Sequence, residues 1–270
     1  MWNYFLSSLL LALSVHSISA QTNEACGARA SGMGNAVVTV SDAWSSFHNI
    51  AGIATQKRYA VGLWYKNDYY LQAYKETSVH AVGALWKGAA VVSFYRFGNE
   101  KYNINCISIG YAHKINLVSL GLQAHYVQLA MEDLGVRKNL VLDFGGIAEL
   151  VPSKLFFGAT VSNLNQAKIN NELLPVVMKA GLSYRSGKKI MLNSEVEKDI
   201  LYKPSIKIGL EYAILEKFRI RTGINTNPFV NFFGVGFQNH SFQLDYALTK
   251  HLQLGYSNRI SLLLFFNKSK

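Results

Sequence analysis

Apolar and polar residues alternate along most of this chain, starting near Arg58. In residues 118–126 the even positions are apolar and the odd positions are small or polar, and residues 206–212 and 218–225 largely repeat this pattern. A period of two is typical of β-strands, because successive side chains of a strand point to opposite faces. We therefore predict strands of about ten residues, each with one apolar face, separated by polar breaks.

The connections between the predicted strands are alternately short and long. The short ones are 87–88, 114–116, 152–153, 186–188, 215–216 and 239–240, and the longer ones are 66–77, 98–103, 128–138, 165–174, 199–203, 225–228 and 249–258. A soluble β-sandwich also alternates, but short periplasmic turns opposite longer outer loops are typical of outer-membrane barrels. The sequence thus predicts an all-β fold, a transmembrane antiparallel β-barrel of about 14 strands. It must be closed, since an open edge in lipid leaves backbone groups unpaired.

The first twenty residues have the features of an export signal. Residues 5–15 form the one continuous apolar run, which is too short to cross a bilayer as a helix, and residues 17–20 are mostly small. We expect a signal peptide at 1–20, an N-terminal hatch segment at 21–56 and the transmembrane barrel at 57–270. This arrangement predicts that the protein lies in the cell outer membrane.

The net charge of the chain indicates which kind of partner it binds. The chain is 50% hydrophobic and 16% charged, and its net charge is +11. The basic residues stand singly between apolar ones rather than on a basic helix, so we expect no nucleic-acid binding. Outer-membrane lipid, whose surface is anionic, is the partner that this charge predicts.

Charged residues recur on the polar face of the predicted strands, which points into the lumen. They either line an aqueous pore or pair across strands, for example Lys207 or Glu211 with Arg219 or Arg221. Inward glycines favour a filled lumen, and the N-terminal segment is the candidate to fill it. The predicted charge network comprises Lys179, Glu195, Glu197, Lys207, Glu211, Arg219, Arg221 and Asp245, and the inward glycines are Gly121, Gly145, Gly181, Gly209, Gly223, Gly234 and Gly236.

The segment before the first strand is rich in small residues over positions 27–36, so its backbone can pack closely against other groups. Ser41 or Asp42 can cap a short helix that runs through Phe47. Asn49 suits the left-handed position that ends such a helix. A compact, partly helical hatch is the prediction.

Residues 27–54, GARASGMGNAVVTVSDAWSSFHNIAGIA, resemble the N-terminal hatch motif of the PorV/PorQ family, a branch of the FadL-type barrels. Motifs between residues 245 and 266 resemble the last hairpin and closing strand of the same family. The family usually has Asn-Pro-Ala where this chain has Asn-Ile-Ala at 49–51, so the rigid turn of a proline is absent. The resemblance implies a FadL-like, fourteen-stranded barrel with an inserted hatch that includes Gly27, Arg29, Gly32, Met33, Gly34, Asp42 and Asn49.

The chain has two cysteines. Cys26 begins the predicted hatch, and Cys106 falls on the inward side of its strand, in register with Ser108 and Gly110. In the oxidising periplasm the pair can form a hatch-to-wall disulfide. The alternative is two small buried residues.

Catalytic and metal-binding patterns are weak in this sequence. His125, Asp143 and the inward serines Ser108 and Ser119 lie on adjacent predicted strands, but the sequence does not fix their register. No His and Cys spacing matches a closed zinc site, and no calcium loop or phosphate-binding glycine loop occurs. We expect no enzyme activity, no cofactor and no bound metal.

Two functions follow from the resemblance. PorV/PorQ-type barrels serve the type IX secretion system, which implies an accessory or partner subunit that binds other outer-membrane or periplasmic proteins. FadL-type relatives instead carry hydrophobic small molecules across the outer membrane. The mixed-charge lumen and compact outer loops predicted here favour the partner subunit, and the transporter is the alternative.

Overall fold

The computed structural model describes residues 25–132, 135–169, 172–200, 202–251 and 254–266. Within them the chain forms an antiparallel barrel of fourteen strands, with a separate hairpin of β8 and β9. The predicted signal peptide lies outside the described residues. The strands are β1 (Tyr59–Asp68), β2 (Lys75–Leu85), β3 (Gly88–Gly98), β4 (Tyr102–Ile115), β5 (Val118–Met131), β6 (Gly135–Val151), β7 (Leu155–Ser162), β8 (Lys168–Ile169), β9 (Glu172–Leu173), β10 (Val177–Ser186), β11 (Ile190–Asp199), β12 (Ser205–Ala213), β13 (Phe218–Thr226), β14 (Phe229–Gln238), β15 (Phe242–His251) and β16 (Gly255–Phe266).

The barrel is closed by pairing between its first and last strands. β1 pairs with β2 on one side and with β16 on the other, where Tyr59 faces Phe266 and Leu63 faces Leu262. Strand β7 pairs directly with β10, so the β8–β9 hairpin stays outside the wall. Every barrel strand therefore has two neighbours, and the described wall has no open edge, as a lipid environment requires.

The alternation predicted from the sequence sets the two faces of the wall. Leu120 and Leu122 are 43% and 53% exposed on the outside, whereas Ser119 and Gln123 are 5% and 2% exposed on the inside. Outward residues on the other strands, such as Ile206, are apolar in the same way. An apolar outer face around a closed barrel is what acyl chains solvate. No helix in the described part of the chain is long and apolar enough to span a membrane.

The connections agree with the prediction at one end of the barrel and are more compact than predicted at the other. The short turns lie within about two residues of their predicted positions. The strands extend into the predicted long loops, so only residues 227–228 separate β13 from β14, and only 132–134 separate β5 from β6. The predicted long break at 225–228 is therefore wrong. We assign the short-turn end to the periplasm and the other end to the outside.

The segment before β1 folds inside the barrel. It contains the helix α1 (Ala28–Gly32) and two 3₁₀ helices, Ala43–Phe47 and Ile50–Thr55, while a third, Gln72–Tyr74, lies between β1 and β2. Most side chains from Ala25 to Ile53 are buried. We call residues 25–58 the hatch.

Asp42 begins the first 3₁₀ helix, as the capping prediction requires. Its carboxylate accepts a hydrogen bond from Trp44 N at 2.9 Å, and Ser45 Oγ accepts one from Asp42 N at 3.0 Å. Asn49 differs from the prediction, because it is extended, with a φ of −158°, and begins the second 3₁₀ helix instead of ending the first. Its side-chain oxygen accepts from Ala51 N at 3.2 Å, which fixes the turn in place of the missing proline.

Candidate functional site: the hatch and the two ends of the lumen

Glycines of the wall lie where the hatch backbone touches it. A Cβ atom on Gly209 would overlap Met33 O, one on Gly223 would overlap Gly34 N, and one on Gly234 would lie 2.9 Å from Gly32 Cα. The hatch also meets Gly110, Gly121, Gly145, Gly158 and Gly181. Of the inward glycines noted in the sequence, Gly236 is the exception, since it faces Asp245 and Arg221. The hatch therefore packs backbone to backbone against the wall.

Arg29 ties α1 to the wall through carboxylates. It reaches Glu211 with Nε and Nη2 at 2.9 and 2.8 Å, and Asp42 with Nη1 at 3.0 Å. Arg221 also pairs with Glu211, at 2.6 Å, and with Asp245, at 2.7 Å. Burial opposes the charge of Arg29, but Glu211 and Asp42 more than offset it and raise its pKa above the ordinary value. Arg29 therefore stays charged and bridges hatch and wall.

A second group of charges holds the loop after α1. Glu195 accepts hydrogen bonds from Val37 N and Val38 N, both at 2.8 Å. Lys207 lies 3.4 Å from Glu195 and 2.7 Å from Glu197, which also pairs with Lys179 at 3.1 Å. Two of the eight residues of the predicted charge network, Glu195 and Glu211, thus bind the hatch directly, and ion pairs link them to Lys179, Glu197, Lys207, Arg221 and Asp245. Arg219 is peripheral, since it hydrogen-bonds Gln238 and lies 4.0 Å from Glu211.

Neutral side chains complete the attachment, and of these the sequence analysis had named only Asn49. Asn193 Nδ2 donates to Ala36 O at 2.8 Å, and Ser261 Oγ accepts from Ala28 N at 3.0 Å. Asn49 Nδ2 donates to Val38 O at 2.7 Å, and Trp44 packs edge-on against His80 with ring centroids 4.4 Å apart. Asn193 and Ser261 were visible in the sequence only as inward polar positions.

His48 is a buried titratable residue of the hatch. Burial lowers its pKa below the ordinary value of 6.5, while Asp42 and Glu195 oppose the shift and Lys179 adds to it. Because the unfolded chain then takes up protons at a higher pH than the folded one, acidification below about pH 6.5 destabilises the hatch. We expect urea unfolding midpoints to fall between pH 7.5 and 5 and to fall less in His48→Gln. An equal fall in both proteins would contradict this assignment.

The outer end of the lumen holds a cavity above the hatch. It encloses about 1150 Å³ of space, part of it open to solvent. One side is apolar and belongs to the cluster of buried residues on β1 to β5. Its apolar lining consists of Phe47, Ile50, Tyr95, Ile104, Val127, Leu129, Val141, Leu174 and Pro175. The predicted charge network lies on β10 to β15, and a separate buried ion pair of Lys66 and Glu76, to which the Tyr95 hydroxyl donates at 2.9 Å, lies on β1 and β2.

Polar groups line the part of this cavity nearer the hatch, on the same strands β4 to β6 that carry part of the apolar lining. Ser108 Oγ lies 2.8 Å from His125 Nδ1, and His125 Nε2 lies 3.2 Å from Asp143 Oδ2. The register that the sequence left open pairs Ser108 with His125 across β4 and β5. Asp143 thus lies against His125 on the side of the ring away from Ser108, and the three side chains form a continuous row along β4, β5 and β6.

Both cysteines line the same cavity, but they are present as thiols and no disulfide joins them. Cys106 Sγ lies 3.4 Å from Ser108 Oγ and 3.9 Å from His125 Nδ1. Cys26 is buried in the apolar cluster. Cys26 is buried and Cys106 is partly buried beside polar neighbours of the wall, and the disulfide between them stays a prediction.

A second cavity opens at the periplasmic end. It encloses about 940 Å³, part of it open to solvent. Basic side chains outnumber acidic ones in its lining, which includes Arg29, Arg185, Lys188, Lys189, Arg219 and Arg221 against Glu211. This end presents a positive surface toward the periplasm.

No protein-family model matches this chain. No curated protein sequence matches it either. Solved structures do match: the toluene transporter TbuX of Ralstonia pickettii aligns over 91% of this chain and 98% of its own, with a TM-score of 0.65 and 11% identity. A Pseudomonas aeruginosa FadL homologue aligns over the same shares with a TM-score of 0.55 and 11% identity. The Acinetobacter baumannii protein Omp33 aligns over 79% and 100%, with a TM-score of 0.54 and 9% identity.

These likenesses concern the fold. The chain has the closed fourteen-stranded architecture of FadL-like barrels, and its apolar outer face fits it to the outer membrane. Of these neighbours, TbuX is named as a toluene transporter. The sequence resemblance to PorV/PorQ barrels gains no support beyond the shared FadL-type fold.

Proposed function

We propose that this protein takes up hydrophobic small molecules across the outer membrane and that the hatch closes the passage. The observation that carries the proposal is the outer cavity, which is apolar along one side and ends on Phe47 and Ile50 of the hatch. Its lining fits a small organic ligand, since ligand sites are mostly apolar and carry a few polar groups that orient the ligand. TbuX, which has the same fold, is named as a toluene transporter.

The positions of the buried charges favour the transporter more than the sequence alone did. A lumen of mixed charge throughout would reject apolar molecules, because charged walls hold water. Here the ion pairs around Glu195 and Glu211 fasten the hatch, and the apolar side formed by Tyr95, Ile104 and Leu129 remains available to a ligand. The geometry therefore favours uptake over a purely structural subunit.

Filling the cavity tests uptake. Ile104 on β4 is 1% exposed and lines the cavity, whereas Ile107 on the same strand is 54% exposed and faces lipid. We expect Ile104→Trp to lower the initial rate of toluene uptake into proteoliposomes at least about fivefold, since an indole fills space that the ligand needs. Ile107→Trp serves as the matched control and should leave the rate unchanged. Equal uptake by both variants, or by protein-free liposomes, would refute the proposal.

A second candidate is a partner subunit of a secretion complex of the type IX kind. It is supported by the PorV/PorQ-like hatch motif at 27–54 and by the positive periplasmic cavity, where Lys188 and Lys189 suit an acidic protein segment. Co-purification from detergent-solubilised outer membranes tests it. Stable subunits that accompany the native protein, and that are lost in Lys188→Glu/Lys189→Glu, would support a partner role. Isolation of the native barrel alone would reject it.

A further inference from the structure

The outer cavity contains buried polar groups that lack a protein partner. Gln123 of β5 is 2% exposed and Ser46 of the hatch is 4% exposed. Neither Gln123 Nε2 nor Ser46 Oγ has a hydrogen-bond partner among the described residues, and both residues line the cavity. Burying a polar group without a partner is costly, so these atoms indicate that a polar group enters the cavity.

The row of Ser108, His125 and Asp143 adds a fixed hydroxyl beside them. Asp143 Oδ1 accepts a hydrogen bond from Asn163 N at 2.9 Å, and Asp143 Oδ2 lies 3.2 Å from His125 Nε2. His125 in turn holds Ser108 Oγ at 2.8 Å. In the strand register Gln123 faces Asp143 across β5 and β6. Ser108 and Gln123 therefore present a hydroxyl and an amide on one wall of the cavity.

The charges that line the cavity are already matched by protein groups. His125 lies against Asp143, and Lys179 pairs with Glu197 at 3.1 Å. His48 stays neutral at neutral pH, because burial lowers its pKa. A carboxylate entering the cavity would lose its water without meeting an uncommitted cation in the described lining, and an ammonium would likewise meet no uncommitted carboxylate.

We propose that the cavity selects uncharged amphiphiles, which have an apolar body and one neutral oxygen group such as an alcohol, a phenol or a ketone. Gln123, Ser108 and Ser46 bind the oxygen group, and the apolar side around Ile104 and Leu129 receives the body. This inference rests on the proposed uptake function and specifies its substrate class.

The experiment compares four probes that share one ring: toluene, benzyl alcohol, benzoate and benzylamine. Their dissociation constants are measured at pH 7.5 by equilibrium dialysis against nanodiscs that contain the protein, with empty nanodiscs as the background. We expect toluene and benzyl alcohol to bind, and benzoate and benzylamine to bind at least about tenfold more weakly than benzyl alcohol, because each brings an unmatched charge.

The variant Gln123→Leu keeps the bulk of the side chain and removes the amide. We expect the ratio of the dissociation constant of benzyl alcohol to that of toluene to rise about fivefold, because one hydrogen bond to the alcohol is lost. Ser108→Ala should raise the same ratio. Ser119→Ala is the control, since Ser119 is buried on the inward face of β5 but does not line the cavity.

The outcomes separate this inference from the function on which it rests. Binding of toluene with an unchanged ratio in Gln123→Leu and Ser108→Ala overturns the inference and leaves uptake standing. Benzoate that binds more tightly than benzyl alcohol also overturns it. Failure of all four probes to bind the native protein overturns both. Heat-dependent mobility on denaturing gels shows in each case that the variant barrel is folded.

Discussion

Glu211→Ala is expected to loosen the hatch and to lower the free energy of unfolding by about 3 kcal/mol or more. Glu211 is the carboxylate that Arg29 of the hatch and Arg221 of the wall share, at 2.8 and 2.6 Å. Its removal leaves two buried cations with one carboxylate each, Asp42 for Arg29 and Asp245 for Arg221. Urea unfolding in lipid vesicles measures the loss.

The same variant should also pass ions, because a loosened hatch no longer closes the lumen. Planar-bilayer recordings are expected to show larger and more frequent openings in Glu211→Ala than in the native protein. Glu216→Ala is the control, since Glu216 lies exposed in the next periplasmic turn. A native conductance together with a native unfolding midpoint would show that the hatch does not depend on this carboxylate.

Gly223→Val is expected to displace the hatch by steric overlap. A Cβ atom at this position would lie 2.8 Å from Gly34 Cα and closer still to Gly34 N, and neither the wall nor the hatch backbone can yield without losing contacts. Overpacking of this kind costs about 1–3 kcal/mol, and valine adds two further methyl groups. We expect rapid tryptic cleavage at Arg29, which is mostly buried in the native protein.

Gly146→Val provides the comparison for that experiment. Gly146 lies on β6, and a Cβ atom there would meet its nearest neighbour, Leu120 Cδ2, at an ordinary 3.4 Å. It should therefore keep native resistance to trypsin and a nearly native unfolding midpoint. If Gly223→Val were equally resistant, the hatch would not be held by close approach to the wall.

The barrel was predictable because its lipid-facing and lumen-facing residues differ in kind. Leu120 and Leu122 face lipid while Ser119 and Gln123 face the lumen, and this contrast is readable without coordinates. The pairing of Glu211 with Arg221 was also predictable, since both lie on inward positions of neighbouring strands.

The apolar lining of the cavity was not predicted, because the alternation of apolar and polar residues is lost toward the outer ends of the strands. On β4 both Ile104 and Ile107 are apolar, although one faces inward and the other outward. On β5 the inward Val127 follows the outward Tyr126 in the same way. Where both faces are apolar, hydrophobicity alone does not tell lumen from lipid.

The contacts among Ser108, His125 and Asp143 could not be predicted from the hydrophobic pattern alone, because they also depend on the register of the strands. The sequence placed these residues on adjacent strands, but a slip of one residue would have turned one of them toward lipid. For Asn49 the local sequence was ambiguous, because an asparagine can either end a helix or begin one. Its contacts with Ala51 and Val38, on opposite sides along the chain, decide the outcome.

The fit between the hatch and the inward glycines has a consequence for biogenesis. The hatch precedes β1, and β1 pairs with β16, so the wall closes only after the last strand has been delivered. Gly209, Gly223 and Gly234 have no side chains with which to fill the lumen if the hatch is absent. The hatch is synthesised before the wall strands, so we expect it to act as an internal template on which the strands assemble until β16 pairs with β1.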